Sequence, residues 1–227
     1  MPATSPTDSP DADLLARDSR RGQLVLSGLI LGSAVAILDG SVVNVALRSI
    51  GSDLGASLAQ LQWVVNGYLL ALASLVLVGG ALGDRWGRRR GYLVGVWGVM
   101  PAPVACAAAQ SPGQLIGLRV LQGVGAALLT PGALALIQSA FRAQDRAAAI
   151  GTWAGVSGVA AAVGPLLGGW LVDHASWRWI FAINVPLCLA AIALVRRAPE
   201  SRDAAATGRF DVPGAVLTVG ALCAATF

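Results

Sequence analysis

Residues 62–90 read QWVVNGYLLALASLVLVGGALGDRWGRRR. Gln62 to Gly83 carry no charge, and the next seven residues hold Asp84 and four arginines, Arg85, Arg88, Arg89 and Arg90. At about 1.5 Å of rise per residue, a helix over the uncharged stretch reaches about 33 Å. That is enough for the roughly 30 Å hydrocarbon core of a bilayer. The pattern predicts a membrane-spanning helix that runs out into a positively charged loop. Gly87 supplies the backbone freedom that so short a connection needs.

Five further apolar blocks of similar length lie at about residues 24–47, 91–109, 113–138, 148–172 and 178–196. Composition agrees: 56% of residues are hydrophobic and 12% charged, against about 25% charged in soluble domains. The expected fold is all-α and polytopic, a six-helix bundle. Residues 1–23, rich in Asp, Pro and Ser, read as a disordered cytoplasmic tail and not as a signal peptide. Residues 24–196 form the six-span half-domain, and residues 197–212 a charged cytoplasmic linker. Residues 213–227 open a seventh apolar segment that reaches only about 22 Å before the sequence stops at Phe227. It reads as a truncated seventh helix.

The formal net charge of +4 would suggest nucleic acid in a soluble protein, but all sixteen basic residues are arginines, mostly in short loops between apolar blocks. With the N-terminus inside, thirteen arginines fall on the inner side, Arg48 and Arg178 on the outer, and Arg119 within a span. The positive-inside rule therefore predicts a cytoplasmic N-terminus in a plasma (inner) membrane. Trp63, Trp170, Trp177 and Trp179 fall at the outer boundaries, where an aromatic belt is expected. Cys106, Cys188 and Cys223 stand alone in apolar runs, with no metal or disulfide spacing. His174, beside Asp173, is expected in a solvated outer loop.

Asp39 is a carboxyl within span 1, and placing its charge at a helix centre costs on the order of 2.5–3.5 kcal/mol. Burial disfavours the ionised form, so such a group can exchange a proton near neutral pH. Arg119 cannot be deprotonated and needs a partner. Asp39 lies about 22 Å above the inner end of span 1, and Arg119 about 9 Å below the outer end of span 4. In a core roughly 30 Å thick they share a depth, and they are expected to meet in the central cavity. Gln122 and Gly123 follow Arg119 at i+3 and i+4 on one helix face. In span 5, Gly151, Gly155, Gly158, Ala162, Pro165 and Gly169 recur at spacings of 4, 3, 4, 3 and 4, a stripe that lets another helix approach closely. Pro165, Pro131, Pro101 and Pro103 are expected to kink their spans.

Gly80-Ala81-Leu82-Gly83-Asp84-Arg85-Trp86-Gly87-Arg88-Arg89-Arg90 resembles the loop signature of the major facilitator superfamily, with Gly83 where alanine is usual. Leu38 to Leu47, including Asp39 and Asn44, resembles the span-1 signature of drug:proton antiporters, with Ser41 for threonine and Arg48 where a proline follows. Arg119 to Ala127 resembles the span-4 signature, and Gly164-Pro165-Leu166-Leu167-Gly168-Gly169 the antiporter signature of span 5, with Ala160 where a glycine often stands. Trp177 to Pro186 and Phe210 to Gly214 look like the fourteen-span branch.

The resemblance implies two inverted three-helix repeats forming the N-terminal half of a transporter. It implies proton-coupled efflux of drugs or small amphiphilic metabolites, with Asp39 carrying the proton and Arg119 tuning its charge. Asn44 and Gln122 would join that pathway, while Gly80, Asp84, Arg85, Gly87 and Arg88 form the gating loop. Gly155, Gly158, Gly164, Pro165, Gly168 and Gly169 would pack against the missing C-terminal half. Lipid, a small-molecule substrate and that half are the implied partners. The proton gradient supplies the energy, with no cofactor, metal, enzymatic group or nucleic acid. Two alternatives stand beside this reading: a transporter of one specific metabolite in the same superfamily, or a truncated product that inserts but does not transport alone.

Overall fold

A computed structural model of the chain describes residues 14–201 and Leu217. Residues 1–13, most of the linker, Cys223 and the rest of the seventh segment lie outside them. The elements are α1 (Arg20–Leu54), α2 (Leu58–Trp86), α3 (Arg88–Val99), α4 (Pro101–Ala107), α5 (Pro112–Ala140), α6 (Ala143–His174), α7 (Arg178–Ala182) and α8 (Asn184–Val195). The described residues contain no strand, only a single parallel bridge between Leu15 and Phe141.

Local chemistry sets the ends. Ser19 caps α1 by accepting from the Gly22 N–H at 3.0 Å, and Ser57 and Gln60 form a reciprocal capping box on α2. Gly87, at φ 109°, turns the chain between α2 and α3 in a conformation that side chains rarely adopt. Five helical runs are long and apolar enough to cross a membrane: α1, α2, α5, α6 and α7 joined to α8. The third expected span is present as α3 and α4, divided at Met100, because Pro101 has no N–H to continue the helical ladder. The sixth divides at Ile183, three residues before Pro186. Pro131 and Pro165, by contrast, sit inside uninterrupted helices. The multi-pass helical architecture is that of a membrane protein.

The contacts follow the inverted repeat. The most extensive packing joins α2 to α5, α3 to α5, α1 to α6 and α1 to α8. Exchanging the first three spans for the second three converts α2–α5 packing into α6–α1, and α3–α5 into α8–α1. Two helices, α1 and α5, therefore occupy the centre. Their most apolar stretches are 56% buried, against 28% for α2 and 17% for α6.

Small residues let the helices close up. A Cβ on Gly95 would stand 2.8 Å from the Leu129 backbone nitrogen, and one on Gly123 would stand 2.5 Å from the Tyr68 carbonyl oxygen. The span-5 glycines divide into two faces instead of one. Gly164 and Gly168 are buried against α1, where a Cβ on Gly164 would meet Ser41 Oγ at 2.7 Å and one on Gly168 would overlap Val42. Gly155, Gly158 and Pro165 are exposed, Gly155 and Gly158 with nothing near a new Cβ, while Gly169 only grazes Val45. The 4-3-4-3-4 stripe is thus the outward face of α6, about a third of a turn from its packing face. Trp153 Nε1, donating to Ser33 Oγ at 2.8 Å, fastens the packed face to α1. In the 227-residue chain, Gly168→Leu is expected to lower stability by about 1–3 kcal/mol through overpacking, and Gly158→Leu to stay within about 0.5 kcal/mol. Thermal unfolding of the purified variants measures this, and an unchanged melting point for Gly168→Leu would rule out the α1–α6 packing.

Three other expectations change. Residues 14–19 are seated on the bundle: the Leu15 N–H donates to the Ala140 carbonyl at 2.8 Å, the Arg142 N–H to the Leu15 carbonyl at 3.1 Å, and the Arg17 N–H to Asp145 at 3.1 Å. The buried Leu15 side chain, an apolar residue in a polar segment, holds them there. Trp177 is in the core and not in a belt, because its indole N–H donates to Asp53 at 2.9 Å; Trp170 and Trp179 remain exposed. His174 is exposed as expected, but it ends α6 instead of lying in the loop and stacks on Trp170, with ring centroids 5.1 Å apart.

Candidate functional site

Two apolar clusters fill the bundle, one at each end. The first includes Val35, Ala126 and Cys188, and the second includes Val42, Leu115 and Phe181. On each central element the polar residue falls between them: Asp39 on α1, Arg119 and Gln122 on α5, and Asn184 at the start of α8. All four are buried, none more than 3% exposed. The meeting of Asp39 and Arg119 is as the depth arithmetic expects, but it occurs inside the packed half-bundle and not in an open cavity.

Arg119 forms an ion pair with Asp39 through Nη1 and Oδ2. Three further donors are engaged: Nε donates to the Val64 carbonyl at 3.1 Å, Nη1 to Gln122 Oε1 at 2.9 Å, and Nη2 to the Asp39 carbonyl at 3.4 Å. The guanidinium carbon lies 4.2 Å from the centre of the Tyr68 ring and 5.9 Å from that of Phe181, within cation–π range. The Tyr68 hydroxyl donates to the Ala36 carbonyl at 3.2 Å, which fixes the ring. Four of the five N–H donors of this buried arginine thus have hydrogen-bond partners, only one of them charged. Such a cation tolerates loss of the carboxylate charge far better than one paired with the carboxylate alone.

The other oxygen of Asp39 is held by a residue the sequence reading did not single out. Asn184 Nδ2 donates to Asp39 Oδ1 at 3.3 Å. Asn184 lies in a quoted motif, but nothing in the spacing aims it at a residue 145 positions earlier. Asn44, by contrast, is exposed and donates to the Gly40 carbonyl of its own helix at 3.1 Å, apart from this cluster. Cys106 and Cys188 are both buried, and Cys106 approaches Gln122 Oε1 at 3.9 Å.

At the arginine-rich end, Asp84 pairs with Arg88 at 3.0 Å, one helical turn away across Gly87. With Gly80, Gly83, Pro131, Gly132 and Ala135 they line a cleft of about 110 Å³ between α2 and α5. Arg85 is exposed in the last turn of α2. The sequence reading missed Glu200, whose Oε1 accepts from the Arg89 N–H at 3.1 Å and so caps α3, while its carboxylate also faces Arg89 and Arg90 at 3.5 and 3.6 Å. A Cβ at position 87 would stand 2.6 Å from Glu200 Oε1, a second reason for glycine there. At the opposite end, Arg178 pairs with Asp53 and donates to the Ala109 carbonyl at 3.2 Å, tying α7 to the C-terminal end of α1 and to the residues that follow α4.

Comparison with known proteins places this arrangement. A puromycin resistance protein of Streptomyces alboniger is 42% identical over 200 residues, covering 88% of this chain and 40% of the relative. A tetracenomycin C resistance and export protein of Streptomyces glaucescens is 42% identical over 206 residues, covering 87% of this chain and 37% of the relative. The chain therefore spans about two-fifths of the length of these relatives, at their N-terminal side. A solved peptide transporter in complex with sulfate superposes with a TM-score of 0.70 at 16% identity, over 95% of this chain and 47% of that one, a likeness of fold alone. The sequence profile of the Major Facilitator Superfamily matches residues 29–226, and the chain belongs to that superfamily.

Proposed function

We propose that this chain is the N-terminal, six-span part of a transporter that expels drugs or small amphiphilic metabolites across the plasma membrane in exchange for protons. The buried Asp39–Arg119 pair carries the reading. Ion pairs inside a membrane bundle are costly and mark ion or substrate pathways. Here the pair is built so that one member can be neutralised: when Asp39 takes a proton, Arg119 keeps the Val64 and Asp39 carbonyls, Gln122 Oε1 and the Tyr68 face. Charge within the half-bundle then changes by one without leaving a bare cation. The drug-resistance and export names of the relatives support efflux as the direction. Arg17, Arg21, Arg89 and Arg197 gathered at one end support a cytoplasmic N-terminus.

Rocking of this half against a second one would alternate access. Asp84 and Arg88, beside their small-residue cleft, would close the inner side, and the outward glycine face of α6 would meet the second half. The proton gradient alone would drive the cycle. The test is efflux of a fluorescent lipophilic cation from vesicles carrying the protein at its natural length. Saturable efflux that stops when a protonophore collapses the gradient is the expected result. Transport that ignores the gradient, or fails for every amphiphile while one polar metabolite moves, would overturn the drug:proton reading.

A further inference from the structure

We propose that Asn184 is the positioning residue for proton exchange at Asp39, its side-chain amide donating to the carboxylate and, turned over, accepting from the carboxylic acid. The inference rests on the reading of Asp39 as the proton carrier. Each carboxylate oxygen has its own partner: Arg119 takes Oδ2, and Asn184 Nδ2 donates to Oδ1 at 3.3 Å. A guanidinium has donors only, so the Arg119 side offers no acceptor for a carboxylic O–H. The proton therefore belongs on Oδ1, facing Asn184. There the new O–H would meet the Nδ2 donor head-on, and a half-turn of the amide brings Asn184 Oδ1 round to accept it. One O–H bond forms on Asp39 with a proton drawn from water, and the amide gains and loses none. Release of the proton reverses the turn.

Two observations favour Asn184 over its neighbours. Its Oδ1 is buried with no hydrogen-bond partner among the described residues, although the residue is fully buried. A buried acceptor without a partner is uncommon and needs a reason; here the oxygen is the group used in the other protonation state. Gln122 also lies beside the Asp39 carboxyl, its buried Nε2 without a well-formed hydrogen bond, but its oxygen is committed to Arg119 at 2.9 Å. Turning it would set donor against donor. Asn184 has no such second commitment. The other titratable groups around Asp39 are Arg119, Tyr68, Cys106 and Cys188. Of these, Tyr68 is bonded to Ala36 and Cys106 to Gln122.

Infrared difference spectra between acidic and alkaline states, recorded on the protein at its natural length in lipid with isotope-labelled asparagine, test this directly. In the wild type a protonated-carboxyl band appears together with a perturbed asparagine side-chain carbonyl band, and both vanish in Asp39→Asn. In Asn184→Leu, which keeps the branch at Cγ but has no hydrogen-bonding group, the asparagine band is lost, the Asp39 band moves in frequency, and coupled efflux falls roughly tenfold or more. A packing role alone would leave the Asp39 band where it was. An Asp39 band that appears with no asparagine change in the wild type overturns the proposal even if Asn184→Leu does not fold, and leaves the transport reading standing. If no Asp39 band appears at any pH, the proposal and the proton-carrier role fall together, and vesicle efflux decides the direction of transport separately.

Discussion

Asp39→Asn is expected to abolish proton-driven efflux while the protein still folds and inserts. Asparagine matches aspartate in shape, and its amide oxygen can accept from Arg119 Nη1 in place of the carboxylate. Arg119 retains the Val64 and Asp39 carbonyls and Gln122 Oε1, so the buried cation is not stranded. On the proposed reading, the substitution removes only the ability to bind and release a proton. Efflux of a lipophilic cation under an imposed gradient should drop to the level of empty vesicles, with expression and thermal stability close to wild type. Wild-type rates in Asp39→Asn would remove this residue from the coupling step.

The second large effect is at Arg119, where charge and stability are lost together. Arg119→Leu takes away four hydrogen bonds, one of them to a buried carboxylate. Breaking a buried pair from one side costs on the order of 3–5 kcal/mol. Arg119→Lys keeps the charge, but a single ammonium cannot reach the Val64 carbonyl, Gln122 Oε1 and Asp39 at once, nor lie flat on Tyr68. Its expected cost is about 1–3 kcal/mol from acceptors left unpaired, with efflux lost in both variants. Denaturation midpoints in detergent and vesicle efflux separate the two effects. A lysine variant with normal efflux would show that positive charge alone suffices and that the directed donors are dispensable.

The contrast between these residues and others shows what the sequence carries. The depth of Asp39 and Arg119 was legible because helical rise converts residue number into height, and both sit alone in uncharged runs. The six spans were legible for the same reason. Rotation about a helix axis is a different quantity. The span-5 stripe was read correctly as a row of small residues, but periodicity does not say which way a row points, and Gly164 and Gly168, off the row, do the packing on α1. Trp177 shows the same ambiguity: its position suits an interfacial belt, and only the distant Asp53 draws it into the core. Asn184, Glu200 and Leu15 act on partners more than 100 residues away. No local spacing encodes such pairs. Glu200 is an acid in a charged linker until the fold brings it to Gly87, and Leu15 is the middle of a three-residue apolar run, Leu14 to Ala16, in a polar segment until α5 ends at its side.

The long separations have a bearing on time. Arg89 precedes Glu200 by 111 residues, and Arg17, whose backbone N–H donates to Asp145, precedes that carboxylate by 128. At about 5–20 residues made per second, the arginines wait roughly 6–25 s for their carboxylates. Throughout that interval Arg89 and Arg90 are without Glu200, so the same side chains serve first as unpaired cations while the early spans are being threaded and only later as fasteners. Among the described residues, the arginine-rich face is tied by Glu200, which emerges after the sixth span is complete.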